Sequence, residues 1–283
     1  MIPYVPQPTL PIAGPLAIHA YGVMVATAIL LGSWLAGRRI ERSGLSREAG
    51  AGIALYAVVS GLLFAHLVSV LAYAPRQAIE DPLSLLRVWE SLSSFGGFAG
   101  GLLGIWLFFL RGKPRIARED RIRYLDAVSF AFFPFAWTVG RLGCALAHDH
   151  PGRITTFPLG IRIDTPEAAS YIAAKYAEAG IRAALPHPST LAGMAFHDLG
   201  WYEFLYCLLV AVPLFLGLDR KARPPGFFPA LFLLTYAPVR FALDFLRIAD
   251  PRYSGLTPGQ YFCIPAFLGG AVLLRRVRRG RTG

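Results

Sequence analysis

Long apolar runs dominate this chain, and two of them carry an arginine each. Arg141 lies within 130–147 (FAFFPFAWTVGRLGCALA) and Arg240 within 227–246 (FFPALFLLTYAPVRFALDFL). Runs of this length cross a bilayer as helices, because a helix satisfies its backbone polar groups internally. A guanidinium keeps its charge, and placing one mid-span costs roughly 2.5–3.5 kcal/mol. Each arginine therefore needs a partner or a wet cavity, and each marks a functional site. A lipid phosphate is the natural counter-ion at that depth, since the planar guanidinium grips oxygens in pairs.

Of the 283 residues, 55% are hydrophobic and only 16% are charged, which excludes a soluble domain and predicts an all-α polytopic membrane protein. About seven transmembrane helices are expected, near 17–36, 53–73, 95–110, 125–146, 201–218, 227–247 and 259–275. The formal net charge of +11 raises nucleic acid as a partner, but its distribution argues against one. Arg38, Arg39, Arg42 and Arg47 follow the first run, and Arg111, Lys113, Arg115, Arg118, Arg121 and Arg123 follow the third. Arg220, Lys221 and Arg223 follow the fifth, and Arg275, Arg276, Arg278, Arg279 and Arg281 form the tail. All lie on one side, so the positive-inside rule places the N-terminus outside and the C-terminus in the cytoplasm. The excess also attracts anionic lipid. No cleavable signal peptide is expected, because the start (MIPYVPQPTLPIAGP) lacks a basic region. The expected organisation is a single membrane domain over 1–283, with 148–200 as a small external cap between the fourth and fifth spans. That cap mixes strand-like FPLGIRI with helix-like EAASYIAAKYAEAG. Cys144, Cys207 and Cys263 fall in apolar stretches without CxxC spacing, and read as small buried residues.

Five stretches hold candidate chemistry. In GRLGCALAHDHPGR (140–153), Arg141 supplies charge, and His148, Asp149 and His150 supply proton-transfer groups where a helix ends. The triplet also reads as a helix terminus with a capping Asp. Histidines at i and i+2 share no helix face and no other ligand cluster is evident, so no metal is expected. In RFALDFLR, Arg240, Asp244 and Arg247 fall at i, i+4 and i+7 on one helix face, where Asp244 can pair with both arginines. That triad serves either a binding site or helix packing. Tyr236 lies one turn before Arg240. In HAYG (19–22), Tyr21 is either an interfacial belt residue or a hydroxyl lining a headgroup site. In SSFGGFAGGLLG (93–104), the glycines allow tight helix packing or irregular backbone lining a cavity. In FHDLGWYE (196–203), Glu203 either binds a partner group or is solvated.

Taken in order, these pieces resemble the bacterial prolipoprotein diacylglyceryl transferases along nearly the whole chain. GPLAIHAYGVMVA is similar to the family's N-terminal segment, and DPLSLLRVWESLSSFGG to the approach to its HGGL motif. GRLGCALAHDHPGR stands where the signature G-R-x-G-N-F-x-N-x-E-x-x-G belongs. HDLGWYE resembles H-P-x-Q-L-Y-E, and YAPVRFALDFLRIAD followed by TPGQYFCIPAFLGG resembles the R-x-x-x-E-x-x-R helix and the G-Q segment after it.

The resemblance implies a seven-span helical body with an external head in the bacterial inner membrane. It implies transfer of the diacylglyceryl group of phosphatidylglycerol to the thiol of a lipobox cysteine in a preprolipoprotein, with glycerol phosphate as the other product. The family's essential arginines match Arg141 and Arg240, its functional tyrosines Tyr21 and Tyr236, and its late signature glycine Gly152. Three departures stand out. Phe95-Gly96-Gly97 has no counterpart of the HGGL histidine, with Gly96 or a deletion at that place, Cys144 replaces the signature asparagine, and Asp149 and Asp244 replace glutamates. The expected catalytic set is Arg141, Arg240, His148, Asp149 and His150, with a histidine making the thiolate. Tyr21, Gly152, Glu203, Tyr236, Asp244 and Arg247 are expected to bind substrate. No cofactor is expected, and the partners are phosphatidylglycerol, membrane lipid and the preprolipoprotein, with the enzyme a monomer. Two other readings keep the lipid donor with a different acceptor, or keep lipid binding without catalysis.

Overall fold

The computed structural model describes residues 1–13, 16–87, 91–187, 190–191, 193–248 and 250–279. Residues 88–90 of the stretch before Phe95 and Arg281 of the basic tail lie outside them. The chain is an all-α polytopic membrane protein. Six helical stretches are long and apolar enough to cross a membrane: Ala20–Arg42, Arg47–Tyr73, Ser94–Arg111, Arg121–Ala147, Leu199–Asp219 and Phe227–Leu246. These coincide with the first six expected spans. The seventh falls in a 22-residue helix, Pro258–Arg279, whose polar start and arginine-rich end lower its hydropathy.

The helices are α1 (Ala20–Arg42), α2 (Arg47–Val68), α3 (Pro75–Glu80), α4 (Ser94–Arg111), α5 (Arg121–Ala131) and α6 (Trp137–Ala147). They continue with α7 (Pro166–Glu178), α8 (Leu199–Tyr206), α9 (Val212–Asp219), α10 (Phe227–Leu243) and α11 (Pro258–Arg279). Short π-helical turns, Phe132–Ala136 and Cys207–Ala211, join α5 to α6 and α8 to α9. Pro134 sits in the first turn and Pro213 just after the second, and a proline ring with no N–H disturbs the regular ladder there.

Two compact units contain these elements: Met1–Leu30, Phe133–Lys221 and Pro238–Asp250 form one, and Leu31–Phe132, Ala222–Ala237 and Pro251–Gly283 form the other. In the second unit, the glycines of 93–104 belong to a continuous helix and act by close packing. A Cβ on Gly96 would stand 2.3 Å from Phe64 O, and one on Gly100 2.4 Å from Ser60 O, so α4 lies directly on α2. Ser60 Oγ donates to Gly100 O across that contact at 2.6 Å. Phe95 is buried and its ring stacks on Phe262 at 5.7 Å.

In the first unit, β1 (Thr9–Ala13) and β2 (Leu16–His19) form an antiparallel hairpin that leads into α1. The segment 148–200 folds into a three-stranded antiparallel sheet with α7. Its strands β3 (Pro151–Thr155), β4 (Ile161–Arg162) and β5 (Ala195–Asp198) run in the order β3-β5-β4. Pro151 pairs with Asp198 and Ile161 with Phe196. Ile161, Ile163, Ile172, Tyr176 and Phe196 close its core. Thr165 caps α7 by accepting from Ala168 N at 3.2 Å, with Pro166 at the first helical position where no N–H is needed. Only two residues of FPLGIRI are strand, whereas the helix stands where its pattern predicts.

Candidate functional site

Three helices of the first unit bring their charged residues together. Arg141 and Arg240 each lie about a turn and a half, roughly 9 Å, before the end of their spans, and Glu203 lies just inside the start of its own. Glu203 is the bridge. Its Oε2 is 2.9 Å from Arg141 Nε, and its Oε1 accepts from Arg240 Nη1. Arg240 Nη2 is in turn 2.8 Å from Asp244 Oδ1. All four side chains are sealed from solvent. Sequence left Glu203 open between solvation and pairing; it is the central carboxylate of a buried Arg–Glu–Arg–Asp chain.

The expected Arg240–Asp244–Arg247 helix face ends early. α10 stops at Leu243 and tightens into a 3₁₀ turn over Asp244–Leu246, after which Arg247 is extended. In that tighter turn Arg247 Nη1 is 3.9 Å from Asp244 Oδ1, and it pairs more closely with Asp250 Oδ2 at 2.8 Å.

Gly152 lets β3 approach this turn. Its backbone bridges to Arg247, and an added Cβ would stand 2.7 Å from Leu246 O and 2.8 Å from His197 Cβ. Tyr21, half-buried, packs near Gly143 of α6, where a Cβ would come within 3.5 Å of its ring. Tyr236 belongs to the second unit, where its buried ring stacks on Phe232 at 5.7 Å and meets Phe98 edge-on at 6.2 Å.

The two histidines of the HDH triplet part company. α6 ends with His148 in the left-handed conformation (φ 51°), its N–H returning to Cys144 O. That reversal turns His148 into the cap. Its Nδ1 meets Asp198 Oδ2 at 2.6 Å, its Nε2 meets Val5 O at 3.1 Å, and Tyr4 stacks on it at 4.8 Å. The Tyr171 hydroxyl donates to His148 O. His150 turns the other way, with Nε2 3.3 Å from Arg141 Nη1 and Nδ1 2.8 Å from Asp149 Oδ1. Cys144 Sγ joins them, 3.5 Å from the same Nη1.

The electrostatics follow this split. Desolvation pushes the Asp149 carboxyl up, but His150, Arg141 and Arg247 together outweigh it and hold it below the usual carboxylate range. Burial pushes the Asp198 carboxyl above that range, although His148 and the Trp201 N–H pull it back. Burial also raises the Tyr171 phenol, helped by Asp198 and Asp149, and lowers the His197 imidazole.

Sequence reasoning missed three contributors. Asp198 holds His148 and caps α8 by accepting from Trp201 N at 3.0 Å. Trp137 lies under the Arg141 guanidinium, 4.4 Å from ring centroid to Cζ; its i−4 spacing was the available signal. Asp250 anchors Arg247. On the same helices as Glu203 and Asp244, an open apolar hollow of about 460 Å³ is lined by Tyr202, Leu205, Leu243 and Leu246 together with Phe157, Leu159 and His197.

Residues 8–276 match the family model described as prolipoprotein diacylglyceryl transferase. A phosphatidylglycerol–prolipoprotein diacylglyceryl transferase of Chromohalobacter salexigens is 30% identical over 274 residues, covering 94% of this chain and 90% of that protein. One of the same name from Ectopseudomonas mendocina is 30% identical, with 97% and 95% covered. A third, from Pectobacterium atrosepticum, is 28% identical, with 92% and 90% covered.

Proposed function

The chain belongs to the prolipoprotein diacylglyceryl transferase family, and we propose that it moves the diacylglyceryl group of phosphatidylglycerol onto the thiol of a lipobox cysteine in a preprolipoprotein. One observation carries this reading: Arg141 and Arg240, from separate spans, are locked side by side on the buried carboxylate of Glu203. Two fixed guanidinium groups in a site closed to water suit a phosphodiester. They stabilise the charge that grows on phosphate as the glycerol C–O bond breaks, and they do so without reorganising.

Arg141 and Arg240 hold the phosphate, with Glu203 and Asp244 setting their planes and Arg247 at the edge. Tyr21 contributes a hydroxyl to the headgroup, and Gly152 leaves room for the cap strand beside it. The apolar hollow suits an acyl chain. The thiol is deprotonated at the Asp149–His150 end, since thiolate is the nucleophile and a free thiol has a pKa near 8.5. His148 is engaged at both ring nitrogens, which favours His150 for that task. The enzyme is a monomer in the bacterial inner membrane, with α11 as the seventh span, the N-terminus and the 148–200 cap outside, and the C-terminus in the cytoplasm. Phe95-Gly96-Gly97, which has no counterpart of the HGGL histidine, favours a second reading with the same donor and a different acceptor.

The test is purified protein with phosphatidylglycerol and a synthetic lipobox peptide, read by peptide mass. A diacylglyceryl gain that disappears when the peptide cysteine is serine supports the reading. Release of glycerol phosphate with no gain on the peptide supports the second reading, and neither product overturns both.

A further inference from the structure

Cys144, Asp149 and His150 meet around one nitrogen of Arg141. The reversal at His148 folds the chain back over the end of α6, and Asp149 N reaches Cys144 O at 3.4 Å. His150 Nε2 then faces Arg141 Nη1 at 3.3 Å, and Cys144 Sγ faces the same nitrogen at 3.5 Å. A guanidinium nitrogen can only donate, so His150 presents the Nε2 lone pair to it. The ring proton falls on Nδ1, which faces Asp149 Oδ1 at 2.8 Å, off the line of a good hydrogen bond. Desolvation raises that carboxyl, but His150, Arg141 and Arg247 outweigh it and keep it ionised. The lone pair that a base needs is therefore covered by Arg141.

The cover is weak. An imidazole nitrogen and a thiol, both neutral and both beyond 3.2 Å, are poor acceptors beside a phosphate oxygen, whose bond to a guanidinium is charge-assisted. The guanidinium itself is held elsewhere. Its Nε is 2.9 Å from Glu203 Oε2, and the Trp137 ring lies 4.4 Å beneath its Cζ. Arg141 can keep its place while the acceptor at Nη1 changes.

We propose that Arg141 gates the base: without lipid it caps the His150 lone pair, and the phosphate of the donor lipid takes over Nη1 and releases His150. The inference rests on the transferase reading and adds an order to it. The acceptor thiol is deprotonated only after phosphatidylglycerol is seated. A thiolate made earlier has no methylene carbon to attack and is open to oxidation.

The step balances. The released Nε2 takes the thiol proton, and the imidazolium stands beside the Asp149 carboxylate. The thiolate electron pair forms a C–S bond to the terminal methylene carbon of the diacylglyceryl group, and the C–O bond from that carbon to phosphate breaks. The bonding pair leaves with glycerol phosphate, a phosphomonoester that takes the proton back from His150. No oxidant or reductant enters.

The test is the rate at which diethyl pyrocarbonate, which acylates an imidazole through its lone pair, modifies His150 in the purified full chain. Peptide mass identifies the site, and His148, engaged at both ring nitrogens, is the internal reference. Phosphatidylglycerol is expected to raise the His150 rate about tenfold, the effect of one freed hydrogen bond. Diacylglycerol with the same chains fills the site without a phosphate and is expected to leave the rate unchanged. Arg141→Ala is expected to react fast with no lipid; should that variant not fold, the two lipids decide alone. No rise with phosphatidylglycerol, an equal rise with diacylglycerol, or a slow rate in folded Arg141→Ala overturns the gate, and transfer to a lipobox peptide by the same protein leaves the transferase reading standing. A rise specific to phosphatidylglycerol, in a protein that transfers nothing to the peptide, supports the gate and overturns transfer to the lipobox thiol.

Discussion

Arg141 Nε lies 2.9 Å from Glu203 Oε2, and neither side chain reaches solvent. The same carboxylate holds Arg240, so a single acid positions both cations. Glu203→Ala leaves two buried guanidinium groups facing one carboxylate fewer. Breaking a buried ion pair from one side costs about 3–5 kcal/mol. The variant is expected to unfold at clearly lower temperature in detergent than the parent. An unchanged unfolding temperature contradicts the bridging role.

The HDH histidines separate stability from activity. His148→Ala removes the partner of the buried Asp198 carboxylate and the ring stacked on Tyr4. It is expected to lower unfolding temperature. His150→Ala touches neither contact, and is expected to lower transfer while leaving unfolding temperature nearly unchanged. Paired measurements of unfolding and turnover on both variants check this, and the reverse pattern contradicts it.

Gly152→Ala places a methyl 2.7 Å from Leu246 O and 2.8 Å from His197 Cβ. Overpacking of this kind costs about 1–3 kcal/mol. Here the strain falls on the turn that carries Asp244 and Arg247, so transfer is expected to fall more than stability. Turnover at a temperature well below unfolding separates the two.

Gly96→His puts a side chain where α4 meets α2 and leaves no room for one. A Cβ there meets Phe64 O at 2.3 Å and Ala65 Cα at 2.8 Å, and both belong to backbone. The variant is expected to lose stability without gaining transfer, as thermal unfolding and turnover will show. A gain in transfer sinks this account of Gly96.

Much of this architecture was legible in the sequence. Six runs of apolar residues became six membrane-length helices, because hydropathy over a window needs no knowledge of tertiary contacts. Arg141, Arg240 and Asp244 declared themselves by charge in apolar surroundings. Glu203 was visible only as an acid near a span start; its partners come from two other helices, and pairing between spans depends on packing that no local pattern encodes. The Cys144–Asp149–His150 cluster was hidden for another reason. Helical spacing separates the three, and only the left-handed residue at His148 folds them together. The glycines of α4 were ambiguous because small residues serve both irregular backbone and close packing, and the neighbouring helix decides between them.

The central claim is that Arg141 grips the donor phosphate. In Arg141→Ala, Glu203 keeps its contact with Arg240, so the fold is expected to survive. The direct measurement is the mass of a lipobox peptide incubated with phosphatidylglycerol and either the parent or Arg141→Ala, with both proteins shown to be folded. The account predicts a diacylglyceryl gain on the cysteine with the parent and none with the variant. Undiminished transfer by the folded variant contradicts it.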